Sequence, residues 1–357
     1  MWIKKLIIKN FRNYINEEIN LKKEINTFFG ENAQGKTNIL EAIYVSALGK
    51  SFRTKKDKEL INYNSSNCSI EVFYEKADRN GKIKIILDDK KLIYLNDIKI
   101  KRLSELVSNL NIVIFTPEDI NILKGSPQNR RKFLNIMIGQ LRPNYLFLLN
   151  KYLKILEQRN ACIRQIKEYG KNEDLLEIWD EKLSEEGVKI YNYRKEFIEK
   201  IEKYLKKEHE EITKSNENIE IKYLSECKEK KEFLEMLYNR RKIDIKKGYT
   251  AKGVHRDDFV IYINGKPVNI YGSQGQNRTV MLSLKLSEIN IIKDEIDEYP
   301  VLLLDDFMSE LDNNRINNFL EKIKDIQVII TSTQKLSVEN SKNLIYNVKD
   351  GHVYKNY

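Results

Sequence analysis

Apolar and polar residues alternate over residues 2–8 and 15–21, on either side of Asn10-Phe11-Arg12-Asn13-Tyr14, which predicts two half-buried strands around a tight connection. Ile25-Asn26-Thr27-Phe28-Phe29 then runs straight into a loop bounded by glycines, and beyond it Ile39, Leu40, Ile43, Tyr44 and Ala47 recur at helical spacing. The order predicted there is strand, loop, helix. Residues 68–98 read as short antiparallel strands with turns at Asn80-Gly81 and Asp88-Asp89. Ile112-Val113-Ile114-Phe115 is a fully apolar strand. Thr116-Pro117-Glu118-Asp119 and Ser126-Pro127 carry the cap and first-turn proline of helix starts.

From about 128 to 242 the period lengthens. Leu148, Tyr152, Leu156, Ile163 and Ile166, then Leu176, Trp179, Leu183, Ile190, Phe197, Ile201 and Leu205, mark long amphipathic helices with mixed Lys and Glu on their outer faces. A strand pattern returns at residues 259–263, turns at Asn264-Gly265, and leads through Ser273-Gln274-Gly275-Gln276 into another helix. Pro300 closes that connection. Val301-Leu302-Leu303-Leu304 is an unbroken apolar run ending in Asp305-Asp306, and Gln327-Val328-Ile329-Ile330 is a second such run, as expected of central parallel strands buried on both faces. The chain closes on a hairpin around Asp350-Gly351. These patterns predict an α/β fold in which a discontinuous domain, residues 1–125 and 243–357, with an antiparallel β layer, is interrupted by a helical arm domain at 126–242.

The glycine-bounded loop, Gly30-Glu31-Asn32-Ala33-Gln34-Gly35-Lys36-Thr37, has the G-x-x-x-x-G-K-[ST] spacing in which backbone N–H groups curl around phosphates and a lysine supplies a point charge. Its strand and helix context is the one the motif requires, with the positive end of the helix facing the anion. The chain has only 14 glycines in 357 residues, and Gly30, Gly35, Gly272 and Gly275 are four of them, so these segments draw on a scarce residue. The pattern predicts that Lys36 neutralises the β- and γ-phosphates of a bound nucleotide, that Thr37 and Asp305 hold Mg²⁺, and that Asp306 orients and deprotonates a water.

Composition adds less. The balance of 63 Lys+Arg against 53 Asp+Glu leaves a net charge of +10, which attracts polyanions. Phosphate contacts have four places to gather: Lys50/Arg53/Lys55/Lys56/Lys58, Arg130-Arg131-Lys132, Arg240-Arg241-Lys242 and Lys246-Lys247. Three widely spaced cysteines suggest neither a disulfide framework nor a thiolate metal site. No apolar run is long enough to span a membrane and the N-terminus does not read as a signal peptide, so a cytoplasmic protein without a membrane partner is expected.

Ser273-Gln274-Gly275-Gln276 resembles the signature segment of ABC-type ATPases, and Ser309-Glu310-Leu311-Asp312 resembles their D-loop. Together with Asn10-Phe11-Arg12-Asn13-Tyr14, Ser51-Phe52-Arg53-Thr54, Thr116-Pro117-Glu118-Asp119 and Gly253-Val254-His255-Arg256-Asp257-Asp258, in this order, the chain resembles the RecF family, ATPases related to SMC proteins, over nearly its whole length. The resemblance implies an ABC-type, SMC-like head with a helical arm, an ATP-dependent homodimer, and weak DNA-stimulated hydrolysis. It also implies binding to single-stranded, gapped and junction DNA, cooperation with RecR and RecO in loading RecA, and roles in the SOS response and replication restart. By position, Ser273, Gln274 and Gly275 are expected to contact the γ-phosphate held by the opposite subunit, and Arg12 and Arg53 to reach the nucleotide or the partner. The chain departs from the pattern in places. Aspartate stands at 306 where ABC transporters place glutamate, Thr331-Ser332-Thr333 lacks their switch histidine, and Val254 replaces the family's usual proline.

Two other readings use the same loop. An ABC transporter ATPase subunit is disfavoured by the missing histidine and by the long insertion between Lys36 and Ser273. An SMC-like structural DNA tether calls for a much longer arm.

Overall fold

The computed structural model describes residues 1–170, 173–213, 217–306, 319, 322–334 and 343–356. They divide into two units, Met1–Asp119 with Glu288–Tyr357, and Ile120–Ser287. In chain order the first unit opens with β1 (Trp2–Phe11), β2 (Tyr14–Asn20), β3 (Ile25–Phe29), β4 (Cys68–Lys76), β5 (Arg79–Leu87), β6 (Lys91–Leu95), β7 (Ile98–Lys99) and β8 (Ile112–Phe115). The second unit supplies β9 (Ile219–Leu224), β10 (Asp258–Ile263) and β11 (Lys266–Pro267). The first resumes with β12 (Val301–Asp305), β13 (Val328–Ser332), β14 (Leu344–Lys349) and β15 (His352–Asn356).

The alternating segments form the predicted antiparallel layer, in the order β2-β1-β4-β5-β6-β7 among the described residues. Ile3, Leu6, Ile8 and Phe11 of β1 are buried. Their change of phase between Ile3 and Leu6 coincides with a register shift against β4 between Ile3 and Lys5, as a bulge produces. One expected turn is displaced. Ala77 and Asp78, both at positive φ, connect β4 to β5, while Asn80 and Gly81 lie within β5 opposite Glu75 and Tyr74. A Cβ on Gly81 would stand 2.3 Å from the Tyr74 ring, so this glycine makes room for a cross-strand aromatic and not for a turn.

The apolar runs build the second sheet, β15-β14-β3-β13-β12-β8, in which β14, β3, β13, β12 and β8 run parallel. Every residue of β12 and β13 is buried, which accounts for their lack of alternation. Gln327, just before β13, bonds both the N–H and the carbonyl of Ile3 at 2.7 Å and so ties the two sheets together. The glycine loop joins β3 to α1 (Lys36–Leu48), and Ile39, Leu40, Ile43, Tyr44 and Ala47 all point into the core.

The second unit is mainly helical, with α2 (Pro127–Leu141), α3 (Pro143–Tyr169), α4 (Leu175–Thr213), α5 (Lys230–Lys247) and α6 (Gln274–Ile296), the last continuing into the first unit. The stretch read as a helical arm also contains β9. Its pairing with β10, from Asp258 opposite Leu224 to Ile263 opposite Ile219, groups residues 243–287 with the helices. Among the described residues no helix is long and apolar enough to cross a membrane.

Candidate nucleotide site and signature segment

The carboxyl ends of β3, β13 and β12 lie side by side, Phe29 opposite Ser332 and Thr331 opposite Asp305, at the edge where parallel sheets receive ligands. The loop after β3 wraps its own lysine: Lys36 Nζ donates to Gly30 O at 2.7 Å and to Glu31 O at 2.8 Å. Burial lowers the Lys36 pKa, while Asp306 and Asp305 oppose that by favouring the charged form. Gly35 caps α1 at φ 114, and a Cβ there would stand 2.5 Å from Asn13 Nδ2. One on Gly30 would lie 2.3 Å from Val348 O, so the loop closes against its neighbours only with glycine at both ends. Asn13 Nδ2 donates to Gln34 O at 2.8 Å and Tyr14 OH to Gly35 O at 3.0 Å, fastening the loop to the β1–β2 connection. Ala33, between Asn32 and Gln34, adopts φ 66.

Thr37 Oγ1 donates to Asp305 Oδ1 at 2.9 Å, and Thr331 Oγ1 donates to the same oxygen at 2.7 Å. Burial raises the Asp305 pKa and the two hydroxyls draw it part of the way back. Asp306 follows at φ 48, in the left-handed region that aspartate enters more readily than most non-glycine residues, and its N–H donates to Thr331 Oγ1 at 3.1 Å. Thr331, itself buried within β13, therefore supports both aspartates. These groups match the loop motif: a cation beside a close-approach backbone, and a hydroxyl bonded to a carboxylate, oxygen donors of the kind that hard divalent ions take.

Arg12 and Arg53 converge on a residue that the sequence reading passed over. Glu41, fully buried in α1, accepts Arg12 Nε at 2.9 Å and Nη2 at 2.8 Å, Ser51 Oγ at 2.5 Å, and Arg53 Nη1 at 3.4 Å. Arg53 Nη1 also donates to Asn38 Oδ1 at 2.7 Å. Two guanidiniums around one carboxylate leave an excess positive charge one turn beyond the phosphate loop. The available signal was Glu41 itself, the single charged residue in the run 39–48. Beside this cluster lies an open cavity of about 930 Å³ whose lining carries both signs, Arg12, Arg53 and Lys58 against Glu59, Asp88 and Asp89.

The basic clusters separate on inspection. Lys50, Arg53, Lys55, Lys56 and Lys58 are all exposed. Arg130, by contrast, is buried and clasps Asp258 with two bonds of 2.6 and 2.9 Å, Arg131 donates to Asp257 O at 2.7 Å, and Arg241 donates to Asp180 at 2.7 Å. Those arginines have structural partners.

In the helical unit, Ser273 and Gln274 are exposed and Gly275 half-buried at the start of α6. Ser273 N–H donates to Gln276 Oε1 at 3.0 Å and Gln276 N–H to Ser273 Oγ at 3.1 Å, a reciprocal capping box written into S-x-x-Q. The Gly253-Val254-His255-Arg256-Asp257-Asp258 turn is held by Arg194, whose Nη1 donates to Val254 O at 2.6 Å and to Asp257 Oδ2 at 3.2 Å. The expected D-loop, Ser309-Glu310-Leu311-Asp312, lies outside the described residues.

A family model described as the RecF/RecN/SMC N terminal domain matches residues 2–353. The DNA replication and repair protein RecF of Clostridium tetani is 44% identical over 365 residues, spanning 99% of this chain and 98% of that protein. Its counterpart in Acetivibrio thermocellus is 43% identical over 99% of this chain and 100% of its own length. The solved structure of the recombination mediator protein RecF-ATP in the RecFOR pathway superposes with a TM-score of 0.94 at 40% identity, over 100% of this chain and 98% of that one. An Smc head bound to the C-winged helix domain of ScpA shares the fold at a TM-score of 0.58 and 17% identity, over 100% of this chain and 97% of that one.

Proposed function

This chain belongs to the RecF family, whose fold is the ABC-type, SMC-like P-loop ATPase head with an antiparallel β layer and an inserted helical arm, and from that premise we propose that it is an ATP-dependent DNA-binding protein of recombinational repair. It works as an ATP-gated dimeric clamp on single-stranded, gapped and junction DNA, with slow, DNA-stimulated hydrolysis. The observation that carries this reading is the convergence of Lys36, Thr37 and Asp305 at one edge of the parallel sheet, with Thr37 Oγ1 and Asp305 Oδ1 only 2.9 Å apart.

In this reading Lys36 exchanges its two carbonyl partners for phosphate oxygens, and the N–H groups of Asn32, Ala33, Gln34, Gly35 and Thr37 close around the same charge. Thr37 and Asp305 hold Mg²⁺, which when bound neutralises charge on the β- and γ-phosphates. Asp306, steadied by Thr331, orients and deprotonates the attacking water. Arg12 and Arg53, held by Glu41 one turn beyond the loop, reach the nucleotide or the partner subunit. Ser273, Gln274 and Gly275 of one protomer complete the pocket of the other, so two chains close around two ATP molecules and hydrolysis reopens them. We assign RecR and RecO as partners, and RecA loading, SOS induction and replication restart as outcomes, because the 40%-identical structure is that of a RecFOR-pathway mediator.

Sedimentation with ATP tests the scheme. Lys36→Ala removes nucleotide-dependent dimers together with ATP binding, whereas Ser273→Arg keeps monomeric ATP binding and loses only the dimer. Wild-type dimer formation by either variant contradicts it.

A further inference from the structure

Gln276 does more than cap its own helix. While its Oε1 and N–H engage Ser273, its Nε2 donates to Glu217 Oε1 at 3.0 Å. Glu217 precedes β9, and its other oxygen, Oε2, meets His209 Nε2 at 2.9 Å. His209 is fully buried near the end of α4, and its Nδ1 lies 3.4 Å from Ser283 Oγ, further along α6. A carboxylate has no proton to give, so both the Gln276 amide and the His209 ring are the donors. These bonds, the amide's first, hold the Glu217 carboxyl below its usual range against partial burial. Glu217 is thus committed by both oxygens, one to the signature cap and one to the arm helix. Neither partner is a flexible lysine or arginine; each is anchored by further bonds of its own.

We propose that Glu217 is a positioning residue for the signature segment, fixing the Gln276 rotamer so that Ser273 keeps the orientation needed to meet the γ-phosphate of a second protomer, with α4 as its anchor through His209. The proposal rests on the reading of Ser273, Gln274 and Gly275 as the contact made in trans. A shift of α4 against α6 changes the grip on Gln276 directly, giving the helical unit a mechanical hold on dimer closure through one side chain.

The test uses the full-length chain with Glu217→Ala, Glu217→Gln, Gln276→Ala and the double alanine variant. Glu217→Ala binds a fluorescent ATP analogue as a monomer within about twofold of wild type, since the phosphate loop is untouched. Its half-maximal ATP-dependent dimerisation moves to roughly tenfold higher protein concentration, the scale of one lost hydrogen bond to a charged group. Its kcat falls with little change in KM. Glu217→Gln keeps an acceptor oxygen for the Gln276 amide and recovers most of the loss. The double variant is no worse than Gln276→Ala alone, because both changes act through one bond. Should Glu217→Ala not fold, Glu217→Asp, which retains the charge but withdraws it by one methylene, gives the same readout. Dimerisation of Glu217→Ala at wild-type concentrations, or full additivity with Gln276→Ala, overturns the proposal. A wild-type chain that stays monomeric with ATP overturns the trans reading itself, and that control tells the two failures apart.

Discussion

At the residue scale, His255 shows how burial decides a side chain's role. Thr250 O can only accept, at 3.1 Å, so Nε2 carries the ring hydrogen and Nδ1 receives Tyr152 OH at 2.8 Å. The neutral imidazole is satisfied. Burial, with Arg256, Arg131 and Arg159 nearby, pushes its pKa down to about 4. Between pH 4 and the unfolded value near 6.5, only the unfolded chain binds this proton. Stability therefore rises with pH through that window and is lost as pH falls, by up to about 3 kcal/mol. His255→Gln should flatten the dependence of Tm on pH between 4 and 6.5 relative to wild type, a difference in which other titrating groups cancel; parallel curves would refute the assignment. The three thiols are equally quiet: each is buried and free, and burial raises the pKa of all three, Cys68 to about 12.

At the scale of elements, the helical unit is locked by ions in its interior. Asp180 of α4 accepts Arg159 Nε of α3 at 2.6 Å and Arg241 Nε of α5 at 2.7 Å, while Arg159 Nη1 reaches Asp244 of α5 at 2.9 Å. Arg159, Asp180 and Asp244 are at most 1% exposed. Such a network sets the register of three helices, and removing one partner leaves an uncompensated buried charge. Asp180→Asn should cost about 3–5 kcal/mol in urea unfolding followed by helical circular dichroism. A loss below 1 kcal/mol would mean that water reaches the site. The strands follow a different logic: Val301–Leu304 and Val328–Ile330 are buried by apolar surface on both faces, and specific polar partners begin only at Asp305 and Thr331.

For the whole molecule, the net charge of +10 and the exposed cluster at Lys50, Arg53, Lys55, Lys56 and Lys58 make the proposed DNA binding an electrostatic problem first. If four or more phosphates are neutralised, log K against log salt should fall with a slope of about −4 or steeper, and charge reversal at Lys55, Lys56 and Lys58 should make it shallower. A flat response in duplex and gapped DNA titrations would remove the basic surface from the mechanism. How much of this was legible beforehand depends on the range of the interactions involved. The phosphate loop, the strand into it, the helix after it and the apolar strand ending at Asp305 are each set by neighbours a few residues apart, and the sequence by itself determined them. Local pattern also misled, placing a turn at Asn80-Gly81 where Tyr74 across the strand required the glycine, and reading β9 as part of a helical arm. Glu41 gathering Arg12, Ser51 and Arg53, Thr331 supporting both aspartates, Gln327 stitching Ile3 to the second sheet, and Glu217 joining Gln276 to His209 were decided only by tertiary structure. Each joins groups that the chain brings together only on folding, and a buried polar group takes whichever partner the packing presents, a choice that periodicity along the chain does not encode.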